Sequence, residues 1–177
     1  MKRFEQVLEI VAVAFSLLYT LLYLDENSWC FLFGGIGATL FTYLCWVRKI
    51  YAESFLQLFY VAFAIYGFLN AGTEWKVTQW HWSEHIPFLG AGVILLGGIG
   101  VYLSRNTESK MPYLDAFTTV FSLIATYIMV SFVHDNWLYW IIIDAVSIYL
   151  YFKRKLYFGS ILFFIYFLLS IKGYFEL

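Results

Sequence analysis

Long apolar stretches, separated by short polar clusters, dominate the chain. Seven windows are near the length of about 20 apolar residues that a membrane-spanning helix needs: Gln6–Leu24, Ser28–Val47, Ile50–Ala71, Pro87–Ser104, Pro112–Val133, Asn136–Phe152 and Leu156–Phe175. Each predicts a helix. A membrane β-barrel would instead show short segments of alternating polarity. Both prolines, Pro87 and Pro112, are predicted to stand at helix starts, where the missing N–H costs nothing. The first window lacks a small-residue cleavage site and reads as a retained helix rather than a signal peptide.

Composition supports this reading. Of 177 residues, 62% are hydrophobic and 13% charged. A soluble domain carries about 25% charged residues, so this chain has too little polar surface to coat a water-soluble globule. The net charge of −1 also lacks the basic excess of a nucleic-acid binder. The fold class is therefore all-α membrane, with seven transmembrane helices and the lipid bilayer as solvent. Cys30 and Cys45 lie on one helix, about 22 Å apart at 1.5 Å per residue, and read as packing residues that cannot pair with each other.

Charge gives an orientation. With the N-terminus in the cytoplasm, Lys2, Arg3, Arg48, Lys49, Arg105, Lys110, Lys153, Arg154 and Lys155 fall inside, nine of the eleven basic residues. Lys76 and Lys172 fall outside. The excess predicts a cytoplasmic N-terminus and an external C-terminus.

The most specific signal is a repeat. Tyr43–Gly67, YLCWVRKIYAESFLQLFYVAFAIYG, aligns with Tyr149–Gly173, YLYFKRKLYFGSILFFIYFLLSIKG, at an offset of 106 residues. Ten of the 25 positions are identical, among them Arg48/Arg154, Ser54/Ser160, Tyr60/Tyr166 and Gly67/Gly173. At the same offset Phe15-Ser16-Leu17 matches Phe121-Ser122-Leu123, and Glu9 matches Asp115. This predicts one transmembrane domain over 1–177, with a first repeat at 6–71, a linker helix at 87–104 and a second repeat at 112–175. Equivalent spans are four apart, so the 3+1+3 repeat is parallel, an arrangement found in transporters with a substrate site between the halves. The linker helix is rich in glycine (Gly90, Gly92, Gly97, Gly98, Gly100), which lets neighbouring helices approach closely.

The sixth helix carries the candidate chemistry. Trp137, Trp140 and Asp144 are spaced i, i+3, i+7 and share a face, continued by Ser147 and Tyr151. A carboxylate at this depth costs about 2.5–3.5 kcal/mol on insertion scales, so it needs an interior position and a partner. Two indoles and a carboxylate suit a flat aromatic cation. A structural ion pair between Asp144 and Lys172, at a similar height, is the plainer alternative. Gln57 and Tyr60, one turn apart on the third helix, could hydrogen-bond a ribose or an amide. Phe163 stands opposite Gln57 in the repeat, which predicts an asymmetric site. Glu9 and Asp115 read as solvated helix-start acids. Trp75, Trp80 and Trp82 read as interfacial anchors. His81 and His85, spaced i, i+4 in a predicted loop, lack a third metal ligand. No catalytic or nucleotide-binding motif is present, and the nearest carboxylate pair, Asp144 and Asp115, is predicted at opposite depths. The reading is therefore not an enzyme, and it implies no cofactor or metal.

The stretch Asn136–Gly173 resembles the second half of PnuC-type vitamin transporters, and KIYAESFLQLFYVAFAIYG resembles their first repeat. These proteins are SWEET-like, with three-plus-one-plus-three spans. The resemblance identifies Trp137 and Trp140 with the family's Trp-x-x-Trp substrate motif, beside Asn136. It implies facilitated uptake of nicotinamide riboside across a bacterial inner membrane, with trapping by a cytosolic kinase and a homotrimer as precedent. Relatives that carry thiamine or riboflavin keep those substrates open. The chain departs from the family at Phe68-Leu69-Asn70-Ala71, where a Trp-rich ending is common. A vitamin-binding membrane subunit that does not itself transport is the remaining alternative, and proton coupling through Asp144 is a variant of the first.

Overall fold

A computed structural model describes residues 2–47, 51–71, 76–107, 109–154 and 157–176, with backbone alone for 2–3, 51–53 and 157–159. Arg48, Lys49, Ile50, Trp75, Lys155 and Leu156 lie outside the described residues, as do the side chains of Lys2, Arg3, Glu53, Tyr51 and Tyr157. Seven helices follow one another: α1 (Lys2–Leu24), α2 (Cys30–Val47), α3 (Tyr51–Asn70), α4 (Trp82–Asn106), α5 (Pro112–Val130), α6 (Asn136–Lys153) and α7 (Tyr157–Glu176). Of these, α1, α2, α4 and α5 are by themselves long and apolar enough to cross a bilayer. The 18 residues of α6 span about 27 Å at 1.5 Å each, but they include Asn136, Asp144 and several tyrosines that lower its hydropathy.

Pro112 opens α5 as expected, but Pro87 does not open α4. The helix starts one turn earlier, at Trp82, because His81 and Glu84 form a capping box. The His81 side chain accepts from Ser83 N, and Glu84 accepts from His81 N at 2.7 Å. Proline is still tolerated this close to the start, where it removes a single intrahelical bond. The α5 helix also stops three residues short of its apolar window, for a reason visible at the α1 end.

The chain forms two compact units. One holds α1, α2 and α3 together with Val130–Phe132. Here α1 packs on α2 and α2 on α3. A Cβ on Gly34 would meet the Tyr19 ring at 2.8 Å, and one on Gly37 would meet Ser16 Oγ at 2.9 Å. Phe31 is buried among Tyr19, Tyr23 and Phe132.

The other unit holds α4, α5, α6 and α7. Its core is Phe121, Ala125 and Ile143, flanked by Leu96, Phe117, Ile124, Tyr139 and Trp140, so α4, α5 and α6 meet there. Gly92 admits the Phe121 ring at 2.9 Å and Gly100 admits Tyr113. Gly90, Gly97 and Gly98 face open space instead, so only part of the glycine-rich stretch serves close approach within this unit.

Local features recur 106 residues apart. Glu26 and Phe132 both have positive φ, 52° and 56°. Each ends its helix in a closing turn, with Asn27 N bonded to Leu22 O at 2.9 Å and Val133 N to Ile128 O at 3.2 Å. That turn is what terminates α1 and α5. Thr20 donates to Ser16 O and Thr126 to Ser122 O. Ser54 Oγ donates to Thr42 O at 2.9 Å, and Ser160 Oγ to Ile148 O at 3.1 Å. Gly67 lies under the Phe31 ring as Gly173 lies under the Trp137 indole.

Candidate functional site

The first turn of α6 sets the site. Its N-cap, Asp135, makes no side-chain cap to its own helix. Asp135 Oδ2 accepts instead from Trp80 N at 2.9 Å. Asn136 follows, 1% exposed, with Nδ2 donating to Val133 O at 2.6 Å. Its Oδ1 is buried and has no hydrogen-bond partner among the described residues, and the same holds for Trp140 Nε1. Orphaned buried polar atoms cost about 1–3 kcal/mol each, so two of them one helical turn apart are a functional signal.

The expected stripe divides between two neighbours. Trp137 is 2% exposed, and its indole covers Gly173 of α7. Asp144 is 3% exposed and also faces α7, where Ser170 Oγ donates to Oδ2 at 3.3 Å. Trp140 is half-buried and packs with Phe121, Ala125 and Ile143. Ser147 is buried one turn further on from Ile143. Asn136, Trp140 and Asp144 stand at i, i+4, i+8, so they form one stripe about 12 Å long.

The proposed partner of Asp144 is corrected. Lys172 pairs with Glu176 at 3.5 Å on the exposed side of α7. Two residues separate it from Ser170, which turns it about 200° around the helix and away from Asp144. Asp115 is not a merely solvated acid either. Arg154 at the C-cap of α6 donates to both its oxygens at 2.7 Å, and Ser109 Oγ donates to Oδ2 at 2.6 Å.

Gln57 and Tyr60 stand half-buried on α3, in the first unit. Two apolar grooves, of about 430 Å³ lined by Leu114, Ile142 and Tyr149 among others and of about 420 Å³ beside Phe31 and Phe68, do not include the α6 stripe.

Sequence reasoning missed several residues. Ser170 is invisible without the α6–α7 packing. Trp80 is more than an anchor, since its backbone holds Asp135 and its ring lies 5.4 Å from His85. His85 is buried rather than in a loop, with Nδ1 2.9 Å from Tyr139 Oη. Its i, i+4 relation to His81, now seen to be a cap and a first-turn residue, was the only signal. No group of three or more metal-ligating residues occurs among the described residues.

Residues 6–176 match the family model described as "Nicotinamide mononucleotide transporter". The chain is 29% identical over 140 residues to the nicotinamide riboside transporter PnuC of Neisseria mucosa, a match covering 68% of this chain and 50% of that protein. It is 23% identical to the nicotinamide riboside transporter PnuC of Escherichia coli, covering 81% of this chain and 73% of that one. A crystal structure of the vitamin B3 transporter PnuC is similar with a TM-score of 0.75 and 25% identity, covering 96% of this chain and 79% of the other. The chain thus spans half the length of the Neisseria relative.

Proposed function

We propose that this chain, which belongs to the nicotinamide mononucleotide transporter family, carries nicotinamide riboside across the membrane by facilitated diffusion. The observation that carries the reading is the α6 stripe, where a buried carbonyl oxygen on Asn136 and a buried indole N–H on Trp140, two turns and one turn before the Asp144 carboxylate, lack partners among the described residues. Nicotinamide riboside supplies what each atom needs. Its carboxamide N–H and ribose hydroxyls donate to Asn136, its oxygens accept from Trp140, and its pyridinium charge answers Asp144. The same chemistry favours the riboside over the mononucleotide. A phosphate dianion needs a cation, whereas the charged member of this stripe is a carboxylate, and like charges repel.

Thiamine, another flat heteroaromatic cation, is the second reading, because the stripe answers its charge equally well. Gln57, Tyr60 and Trp137 are offered as further substrate contacts. The division into repeats at 6–71 and 112–175 with a linker helix at 87–104 belongs to this proposal, as do a bacterial inner-membrane location, a cytoplasmic N-terminus, a homotrimer and trapping by a cytosolic kinase. Nine of eleven basic residues on one side support the orientation.

Tryptophan fluorescence on purified protein tests the binding step, with nicotinamide riboside, thiamine and riboflavin titrated in turn. One ligand should quench at micromolar concentration or below. Trp140→Ala should abolish that response, while Trp46→Ala, at an exposed position on α2, should leave the affinity unchanged. Liposomes containing the protein that pass neither nicotinamide riboside nor thiamine would overturn the reading. Binding without flux would favour the non-transporting subunit.

A further inference from the structure

His85 has no part in the stripe, yet it is 7% exposed and held from three elements. The capping box at His81 places it one turn into α4. Its Nδ1 lies 2.9 Å from Tyr139 Oη, and its Nε2 lies 3.8 Å from Asp135 Oδ2. The same Asp135 oxygen accepts from Trp80 N. The imidazole is boxed by the rings of Trp80 at 5.4 Å, Trp82 at 5.9 Å and Tyr139 at 5.8 Å. Asp135 and Tyr139 are i, i+4, so together they bracket the first turn of α6. That turn carries Asn136 and Trp137, and Trp140 follows directly.

The first half of the chain has no such device. The positions 106 residues before Asp135 and Tyr139 are Trp29 and Phe33, which offer neither carboxylate nor hydroxyl. Trp29 lies against Phe68 and Phe33 stacks on Phe15. The histidine itself comes from α4, which lies outside the duplicated segments. A buried polar cluster has therefore been added to one helix start and not to its counterpart, and the helix that received it is the one with the unpaired Asn136 and Trp140 atoms.

We infer that His85 is a positioning residue for the transported solute: through Tyr139 and Asp135 it fixes the first turn of α6, and with it the solute-facing atoms of Asn136 and Trp140. The inference deepens the transport reading above and rests on it for the identity of the solute. A neutral imidazole serves both partners, with one ring nitrogen accepting from the Tyr139 hydroxyl and the other presenting its N–H to the Asp135 carboxylate.

The test uses full-length protein with His85→Gln, Tyr139→Phe and the double variant. Nicotinamide riboside affinity is measured, and amide hydrogen exchange is followed at residues 136–141 and 30–35. Each single variant should bind about tenfold more weakly, the loss of one hydrogen bond. The double variant should be no worse than the weaker single. Exchange should accelerate in 136–141 and stay unchanged in 30–35. Tyr139→Phe keeps the ring, so it remains informative if the histidine variant misfolds. Variants with wild-type affinity and wild-type exchange would overturn the inference. If the wild type binds no vitamin, the transport reading fails, and exchange alone decides: acceleration confined to 136–141 upholds the positioning role, and its absence overturns it.

Discussion

Gly173 shows how much one hydrogen atom can decide. A Cβ there would enter the Trp137 indole, which is 2% exposed and has nowhere to retreat without disturbing α6. Gly173→Ala should therefore cost about 1–3 kcal/mol, the range for overpacking a close-packed site. It should also weaken solute binding, because Trp137 lies on the helix turn that leads to Trp140. Gly97→Ala is the contrasting case, since beyond the backbone of its own helix no described atom lies within 4 Å of its Cβ position. It should be neutral or stabilising by up to about 1 kcal/mol through helix propensity. A thermal-shift assay in detergent, run on both variants, reads the difference, and equal shifts would contradict the packing account. Both glycines were visible in the sequence, Gly173 as an identity of the repeat, but the distinction between them was not. It depends on which ring comes over the glycine, and that is fixed by helix packing. Asp144 was legible for a similar reason and to a similar limit. Its depth and residue type marked it as interior, whereas its partner Ser170 became visible only once α7 was placed. Lys172 has the right height and the wrong angle, which a count along the chain cannot detect.

Helix identity was legible throughout because each span is a long apolar run, and helix ends were less so because they depend on single polar contacts. The α4 start moved to Trp82 on the strength of His81 and Glu84, a capping box written with histidine in place of the usual Ser or Thr. The α5 end moved to Val130 because Phe132 takes positive φ, a conformation that a bulky residue rarely signals. A third contact links two helix ends. Arg154, at the C-cap of α6, donates to both Asp115 oxygens near the start of α5. The side chains are 32% and 24% exposed, so water screens the pair and its contribution is modest. A double-mutant cycle with Arg154→Ala and Asp115→Asn should return a coupling of about 1 kcal/mol at low salt, smaller at high salt. A coupling near zero would make the pair incidental, and one above about 3 kcal/mol would place it in a drier setting than its exposure indicates. The sequence carries Glu9 and Arg48 at the corresponding positions, Arg48 lying outside the described residues.

Across the whole molecule, the 106-residue offset pairs the polar residues of the α6 stripe with small or apolar ones. Asp144 corresponds to Ala38, Ser170 to Ala64, Asn136 to Cys30 and Trp140 to Gly34. The backbone turns at Glu26 and Phe132 and the bonds of Ser54 and Ser160 recur at this offset, so at the stripe the two segments differ in their side chains. One carboxylate in one copy has an energetic consequence for transport. If Asp144 only answers the charge of the solute and stays in place, the moving charge is that of the cation itself. Uptake then follows the membrane potential and stops at electrochemical equilibrium. An inside-negative potential of 100 mV is worth about 2.3 kcal/mol per charge, or about 50-fold accumulation. Liposomes holding a potassium diffusion potential of that size should therefore concentrate nicotinamide riboside toward about 50-fold, while a pH gradient without a potential should concentrate none. If Asp144 instead picks up a proton on one side and releases it on the other, the proton gradient becomes a driving force. Accumulation under a pH gradient alone, lost in Asp144→Asn, would replace facilitated diffusion with proton coupling. The potential-driven result would leave Asp144 as a fixed countercharge, held in its buried place by Ser170.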